Sequence, residues 1–275
     1  MSEYQFIHFQ AIDRPLEDKQ LEFMRRQSTR ANVTRWEFTN EYHFGDFHGD
    51  RLGMLRNGYD VHLHFANYGL RRLMFRLPGG LPCDAKTFEA FTADCGMTWH
   101  ADKTGDGGVL EICPSGDADM FDSYLPDLDS ILNRIAPLRE ALMAGDLRAL
   151  YLAWLACCCY DEDTMEPPVP GGLAEIVSSP KADSALAASS EALAAMARFY
   201  ELSLDLLEVA AERSPPLLAG KRPADALEKW TARQSKDSLR SLVLRLMDDH
   251  DATRADVRAH VRQEQAMPAW PMAEP

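Results

Sequence analysis

Apolar and polar residues alternate in the first third of the chain, a pattern typical of half-buried β-strands. Residues 4–12 and 33–39 predict two strands, with a helix of about residues 16–28 between them. A polar, glycine-punctuated loop follows at 41–50, and a short helix is expected near 50–57. Strands and helices are therefore expected to share the N-terminal part of the chain.

The most specific pattern is a β-hairpin within residues 59–77. Two alternating runs flank Asn67-Tyr68-Gly69, and Gly69 suits the left-handed position of a three-residue hairpin loop. This register predicts one apolar face and one polar, largely cationic face. The predicted opposing pairs are Ala66 with Leu70, Leu63 with Leu73, Val61 with Phe75, His64 with Arg72, His62 with Met74, and Asp60 with Arg76.

Further along, the hydrophobic period changes from that of strands to that of helices. A helix capped by Asp84 is expected at 84–93, and strands are expected at 97–101 and 109–113. From about residue 122 the period is that of helices. One helix is marked by Leu128, Ile131, Leu132, Ile135, Leu138 and Leu142, and another by Leu147, Leu150, Tyr151, Trp154 and Leu155. A further helix, broken near Ser203, is expected at 185–213, and two or three more are expected at 223–265. The proline- and glycine-rich stretch 166–172 has the composition of a linker.

These elements predict an α+β protein with a small mixed or antiparallel sheet and helices in the N-terminal half, followed by an all-α helical array. We expect an α+β domain at 1–115, a helical extension packed on it at 116–166, and a C-terminal helical domain at 173–266.

Charge narrows the range of partners. The formal net charge of −14 comes from 43 acidic and 29 basic residues, and most of the excess lies beyond residue 115. Non-specific binding to nucleic acid or to an anionic membrane needs clustered Lys and Arg, which the acidic C-terminal half does not offer. No signal peptide is evident, and the apolar run at 147–160 is too short to span a bilayer. A cytoplasmic protein without membrane contacts is the expectation.

Histidines offer one candidate site. His62 and His64 alternate on a predicted strand and so point to the same face, and the loop adds His43, His48 and either Asp46 or Glu41. Such a set could hold a transition metal for a hydrolase, although the sequence contains no H-E-x-x-H motif. Satisfied histidines on a sheet face are the structural alternative. The six cysteines include no C-x-x-C pair, so neither a disulfide framework nor a structural zinc site is expected.

Arginines offer a second candidate site. Arg72 and Arg76 share the polar hairpin face with His62 and His64, and such donors bind phosphates or carboxylates. The N-terminal residues Arg25, Arg26, Arg30 and Arg35 could extend this basic face toward nucleic acid. The structural alternative is that Asp60 pairs with Arg76 and that helices cover the face.

Other chemistry is disfavoured. Asp127-Leu128-Asp129 lacks the preceding apolar strand of a phosphatase nucleophile and is better interpreted as a helix start. Asp102 and Asp106 lack the ligand spacing of a calcium loop. The sequence contains neither a P-loop nor a G-x-S-x-G motif, and we expect no cofactor.

Several phrases resemble a family of uncharacterised bacterial proteins of unknown function. They are Ala11-Ile-Asp-Arg-Pro-Leu16, Glu41-Tyr-His-Phe-Gly-Asp46, residues 66–78, residues 145–155, Pro167-Pro-Val-Pro170 and Val209-Ala-Ala-Glu-Arg-Ser214. The resemblance spans most of the chain, apart from an insertion-like stretch near 178–190. Such proteins are often encoded beside proteins with a SWIM-type zinc finger, which implies a protein partner of that kind.

The favoured hypothesis is therefore a non-enzymatic protein-interaction or adaptor subunit of a bacterial multi-protein system. Its recognition elements would be the loop at 41–50 and the polar face of the hairpin. The first alternative is a nucleic-acid-associated factor that uses the basic N-terminal face, directly or through a partner. The second is a metal-dependent hydrolase that uses His43, His62 and His64.

Overall fold

A seven-stranded antiparallel sheet forms the N-terminal half of the protein. In the computed structural model, the described residues are 3–92, 96–114, 124–125, 127–158, 166–177, 184–216, 223–248 and 257. The strands are β1 (Gln5–Gln10), β2 (Asn32–Val33), β3 (Glu37–Tyr42), β4 (Val61–Ala66), β5 (Leu70–Leu77), β6 (Met97–Ala101) and β7 (Gly108–Ile112). Their order across the sheet is β2-β3-β1-β4-β5-β7-β6, and each neighbouring pair is antiparallel.

Helices interrupt the strands and then follow them. They are α1 (Asp18–Arg25), α2 (Arg51–Arg56), α3 (Ala85–Thr92), α4 (Leu128–Ile135), α5 (Pro137–Met143), α6 (Arg148–Cys158), α7 (Ala174–Val177), α8 (Ser184–Phe199), α9 (Leu204–Arg213), α10 (Pro223–Arg233) and α11 (Lys236–Asp248). This arrangement confirms the predicted α+β class, with the sheet antiparallel. No helix among the described residues is long and apolar enough to cross a membrane.

The β4–β5 hairpin has the predicted register. Ala66 pairs with Leu70 and His64 pairs with Arg72, and Gly69 takes the positive φ of 95° that the loop requires. The polar face is nevertheless not a free surface. We call it the outer face of the sheet, and α1 and α2 cover part of it with Leu21, Met24, Met54 and Leu55. His62 and His64 are consequently buried, as in the alternative in which helices cover this face.

The opposite, inner face of the sheet carries the main hydrophobic core. Phe6, Leu63, Phe75 and Leu110 are among its strand residues. Helices α4 and α5 pack against it, and α8 packs on α4, α5 and α6. The Tyr200 hydroxyl donates to the Ile112 carbonyl across this core, at 3.2 Å. Residues of α8 and α9 belong to the same buried cluster, so the described core is continuous from the first strand to Ala210.

Some predicted elements differ from those observed. The strand predicted at 33–39 is divided into β2 and β3 by a turn in which Thr34 Oγ1 accepts hydrogen bonds from the amides of Trp36 and Glu37. The helix predicted through Leu142 is divided at Pro137, which begins α5. A proline lacks the amide that would continue the hydrogen-bond ladder.

The stretch predicted as a linker is buried. Val169 is 3% exposed, and the Gly172 amide donates to the Pro215 carbonyl at 2.9 Å. Ser214 Oγ donates to the Pro170 carbonyl at 2.7 Å. The composition of this stretch is explained by tight packing against the end of α9. Residues 178–183 of the insertion-like stretch, and the helical residues predicted beyond 248 apart from 257, lie outside the described residues.

Candidate functional site

A chain of hydrogen bonds crosses the outer face of the sheet. Gln5 Nε2 donates to Asp46 Oδ1 at 2.7 Å, which leaves Gln5 Oε1 as the acceptor for His64 Nε2 at 2.8 Å. This arrangement places the His64 proton on Nε2 and leaves Nδ1 as an acceptor. The loop residue Asp46 and the strand residue His64, both predicted from sequence as site residues, are therefore connected through Gln5, which the sequence did not indicate.

The chain continues toward the sheet edge at β6. Arg72 Nη1 lies 3.5 Å from His64 Nδ1, and Arg72 Nε donates to Glu111 Oε1 at 2.7 Å. His100 Nε2 lies 2.6 Å from Glu111 Oε2. Glu111 thus contacts Arg72 on β5 and His100 on β6, the two strands that flank β7. These contacts connect the polar side chains of the outer face across the sheet.

Burial keeps His62 and His64 neutral. Burial, together with the positive charges of Arg72 and Arg51, lowers the pKa of His64 to about 3. Burial also places the pKa of His62 well below its usual value. A neutral imidazole can donate and accept at once, which is how His64 connects Gln5 and Arg72.

The histidines do not form the metal site predicted from sequence. His62 Nδ1 lies 3.1 Å from the His8 carbonyl, and the ring stacks on Phe9 with centroids 3.8 Å apart. His43 is exposed and packs instead against the Tyr4 ring, at 5.4 Å between centroids. Among the described residues, no group of three or more His, Cys, Asp or Glu side chains could hold a metal ion.

The arginines of the hairpin each have a carboxylate partner. Arg72 pairs with Glu111, and Arg76 Nη2 lies 2.7 Å from Asp102 Oδ2. Asp60 lies opposite Arg76 as predicted, since the Arg76 amide donates to the Asp60 carbonyl at 2.8 Å. The ion pair between their side chains is not formed, because the Asp60 carboxylate lies beside Arg139 at 2.9 Å and accepts from the Ile12 and Asp13 amides. Pairing leaves little unsatisfied positive charge at the hairpin for an external anion.

The N-terminal arginines lie apart from this network. Arg26 pairs with Glu22 on α1, and Arg35 pairs with Asp18. Arg25 and Arg30 are exposed at and beyond the end of α1. The structure therefore does not join these side chains and the hairpin arginines into one basic network of contacts.

The cysteines of the described residues carry no evident reactive site. Cys83, Cys113 and Cys157 are free and half-buried. Burial raises the pKa of the Cys83 thiol to about 12 and also raises that of Cys113. A thiol with a raised pKa is a poor nucleophile at neutral pH.

The predicted recognition loop at 41–50 is partly structural. Asp50 Oδ1 accepts from the Gly53 amide and caps α2, while Phe47 is buried against Phe9 and Phe38. Phe44 is 78% exposed and remains available for contact. Of the two recognition elements expected from sequence, this loop is thus the one that presents an accessible side chain.

Helix α11 presents a second accessible surface, which the sequence analysis did not single out. Leu239, Leu242, Val243 and Leu246 recur at helical spacing and form an apolar stripe. Val243 is 58% exposed and Met247, beside the stripe, is 82% exposed. We call Leu239, Leu242, Val243 and Leu246, together with Met247, the α11 stripe.

Basic residues flank the α11 stripe. At about 3.6 residues per turn, Arg245 falls on one side of the stripe and Lys236 and Arg240 fall on the other. Asp237 falls on the opposite side of the helix. A partner of α11 would therefore meet an apolar row with positive charge on both sides.

Comparisons with known proteins add no functional assignment. A scan against models of protein families gave no match, and searches of curated proteins and of solved structures gave no match either.

Proposed function

We propose that the protein is a non-enzymatic interaction subunit and that α11 docks into an apolar groove with an acidic rim on a partner protein. The observation that carries this proposal is the exposure of Val243, Leu246 and Met247 on the α11 stripe, with Leu239 and Leu242 half-buried beside them. Apolar surface that is left open at helical spacing commonly marks a site of association.

The geometry of α11 fits a helix-in-groove contact. In that mode, side chains at i, i+3, i+4 and i+7 enter the partner's groove, and these positions correspond to Leu239, Leu242, Val243 and Leu246. Burying a large apolar side chain contributes about 1.5–3 kcal/mol. Three or four such anchors are enough for specific binding when the partner's groove is preformed.

Charge indicates which kind of partner fits. Lys236, Arg240 and Arg245 border the stripe, although the protein as a whole carries a net charge of −14. A partner with carboxylates around its groove would be attracted locally to Lys236 and Arg240. The resemblance to bacterial proteins encoded beside SWIM-type zinc-finger proteins makes such a protein the first partner to test.

The test begins with a photo-crosslinking amino acid at Val243 in the full-length protein, expressed in its source cells. The crosslinked protein is identified, purified and titrated against the wild-type chain. We expect crosslinked peptides that border a groove rich in Asp and Glu. We also expect affinity to fall about tenfold or more in V243D/L246D, as for the loss of central anchors.

Matched variants define the outcome. V209D places the same charge at an exposed apolar residue of α9, 55% exposed, and is expected to bind like wild type. R240E/R245E is expected to weaken binding and to reduce its dependence on salt. Unchanged affinity in V243D/L246D contradicts the proposal. If the wild-type protein is a dimer and V243D/L246D is a monomer, the partner of α11 is instead a second copy of the chain. If the wild-type protein binds vesicles and this variant does not, the partner is a membrane.

A further inference from the structure

A polar cleft lies between the inner face of β1 and β3 and the helices α4 and α5. It consists of two adjoining cavities of about 440 and 490 Å³, and Glu37 and Asn133 line both. Cavities of this size accommodate small molecules. We call the cavity of about 440 Å³ the first cavity. None of its lining residues belongs to the α11 stripe or to the hydrogen-bonded chain from Asp46 to His100 on the outer face.

Negative charge dominates the first cavity. Glu37, Glu41 and Asp129 line it, together with one arginine, Arg30. Phe6 also lines it and presents an aromatic surface. Carboxylates beside an aromatic ring are the surroundings that favour an organic cation, through ion pairing and the ring quadrupole.

His8 is a buried polar group without a hydrogen-bond partner in this cavity. It is 2% exposed, and neither ring nitrogen has a hydrogen-bond partner among the described residues. Its Nε2 lies 3.9 Å from Glu37 Oε1. Burial lowers the pKa of His8 to about 4, so the ring is neutral at neutral pH and one nitrogen is a free acceptor. Leaving such a group unpaired is unfavourable, and a ligand that donates to it would remove that cost.

Gln10 provides a second internal acceptor in the adjoining cavity. Its Nε2 donates to Asn133 Oδ1 at 2.8 Å, which fixes the orientation of the amide. Its Oε1 is buried and has no hydrogen-bond partner among the described residues. Gln10 Oε1 and the unprotonated nitrogen of His8 can therefore both accept hydrogen bonds from N–H donors of a ligand, while the other His8 nitrogen carries a proton and can donate.

We infer that this cleft binds a small organic cation with N–H donors, an ammonium or guanidinium group, between Glu37, Glu41 and Phe6 with hydrogen bonds to His8 and Gln10. A metal ion is not the implied ligand, because the described carboxylates and histidines form no group that could hold one. The inference is independent of the proposed interaction function, since no residue of α11 lines the cleft.

Agmatine is a suitable probe, because it carries a guanidinium at one end and an ammonium at the other. Calorimetric titration of the full chain at neutral pH is expected to show one saturable site, with a dissociation constant on the order of 0.1–1 mM for a ligand of this size. Ring signals of His8 are expected to shift in NMR spectra, whereas those of the exposed His43 stay in place. Tetramethylammonium has the charge but no N–H donor, and glutarate has the opposite charge; neither is expected to bind.

The decisive variant is E37Q, which removes one charge while keeping the size of the side chain. Glu37 is 42% exposed, so this variant is expected to fold. We expect it to weaken agmatine binding about fivefold or more, on the scale of a charge-assisted hydrogen bond. E22Q, which removes a charge from the exposed surface of α1, is the matched control and should bind like wild type. Absence of agmatine binding, equal binding of tetramethylammonium, or equal affinities of E37Q and E22Q would each overturn the inference.

Discussion

The guanidinium of Arg139 lies 2.9 Å from a carboxylate oxygen of Asp60 and ties helix α5 to the chain just before β4. The same guanidinium donates twice to Asp13, and its Nε donates to the Arg76 carbonyl at 2.6 Å. Arg139 is 1% exposed. Two carboxylates are therefore balanced by one buried cation.

Replacing Arg139 with methionine is expected to destabilise the protein by about 3–5 kcal/mol, because it leaves buried carboxylates without a counter-charge. Urea unfolding followed by circular dichroism measures the difference. Arg134→Met, at a 48% exposed arginine of α4, is the control and should change the unfolding free energy by less than about 0.5 kcal/mol. Similar values for the two variants would show that Arg139 is not a stabilising residue.

Glu201 is expected to matter for the opposite end of the core. Its Oε1 lies 3.0 Å from Nη2 of Arg71, which is fully buried and whose guanidinium carbon lies 4.2 Å from the centroid of the Phe65 ring. Glu201→Ala removes a counter-charge from the buried Arg71 and should cost about 3 kcal/mol. The same urea titration applies, with Glu208→Ala on the exposed side of α9 as the control.

The backbone at Glu201 allows a second comparison. Its φ is +53°, a conformation that costs a residue with a side chain about 1 kcal/mol relative to glycine. Glu201→Gly should therefore be more stable than Glu201→Ala by about that amount, while both remain less stable than wild type. An alanine variant as stable as the glycine variant would contradict the strained backbone.

Acid is expected to destabilise the protein through its buried histidines. An unfolded histidine has a pKa of about 6.5, whereas burial lowers the pKa of His8 to about 4 and that of His64 to about 3. Between these values the unfolded chain binds more protons than the folded one. Stability therefore falls as the pH is lowered below about 6.5, by up to about 1.4 kcal/mol per pH unit for each buried histidine.

Unfolding free energies measured at a series of pH values from 7 down to 5 test this expectation. The slope in His64→Gln should be smaller than in wild type by one histidine's contribution. His43→Gln, which changes an exposed ring, should leave the slope unaltered. Equal slopes in wild type and His64→Gln would mean that the buried ring titrates normally.

Gln5 is expected to stabilise the outer-face network although it carries no charge. Its side chain is 1% exposed, and its oxygen accepts from His64 Nε2. Gln5→Met leaves that buried donor unpaired and should cost about 1–3 kcal/mol. A double-mutant cycle with His64→Leu should give a coupling energy of about 0.5 kcal/mol or more, whereas additive effects would show that the two side chains act independently.

The sequence predicts local structure better than it predicts long-range pairing. The β4–β5 register follows from alternation and from Gly69, both of which lie within a few residues of the turn. The position of β1 between β3 and β4 depends on contacts across many residues, and no local pattern indicates it. For the same reason the sequence suggests Arg76 as the ion-pair partner of Asp60, whereas Arg139, which forms that ion pair, is distant in the sequence.

The pattern of apolar and polar residues also does not predict which side chains are buried. His62 and His64 alternate with apolar residues as side chains of a solvated face would, yet helix α2 and the neighbouring strands enclose them. The α11 stripe shows the reverse case. Its spacing is that of a helix packed on a core, and only the three-dimensional structure reveals that Val243 and Met247 are left open.

The continuous core has a consequence for synthesis on the ribosome. Strand β7 ends at Ile112, but the inner face of the sheet is covered by helices that extend to Phe199. At about 5–20 residues per second, roughly 4–17 seconds separate the emergence of these two residues. Until the last of these helices has emerged, the inner face that carries Phe6, Leu63 and Phe75 is only partly covered, so the nascent chain presents apolar sheet surface that a chaperone can bind before the later helices replace it.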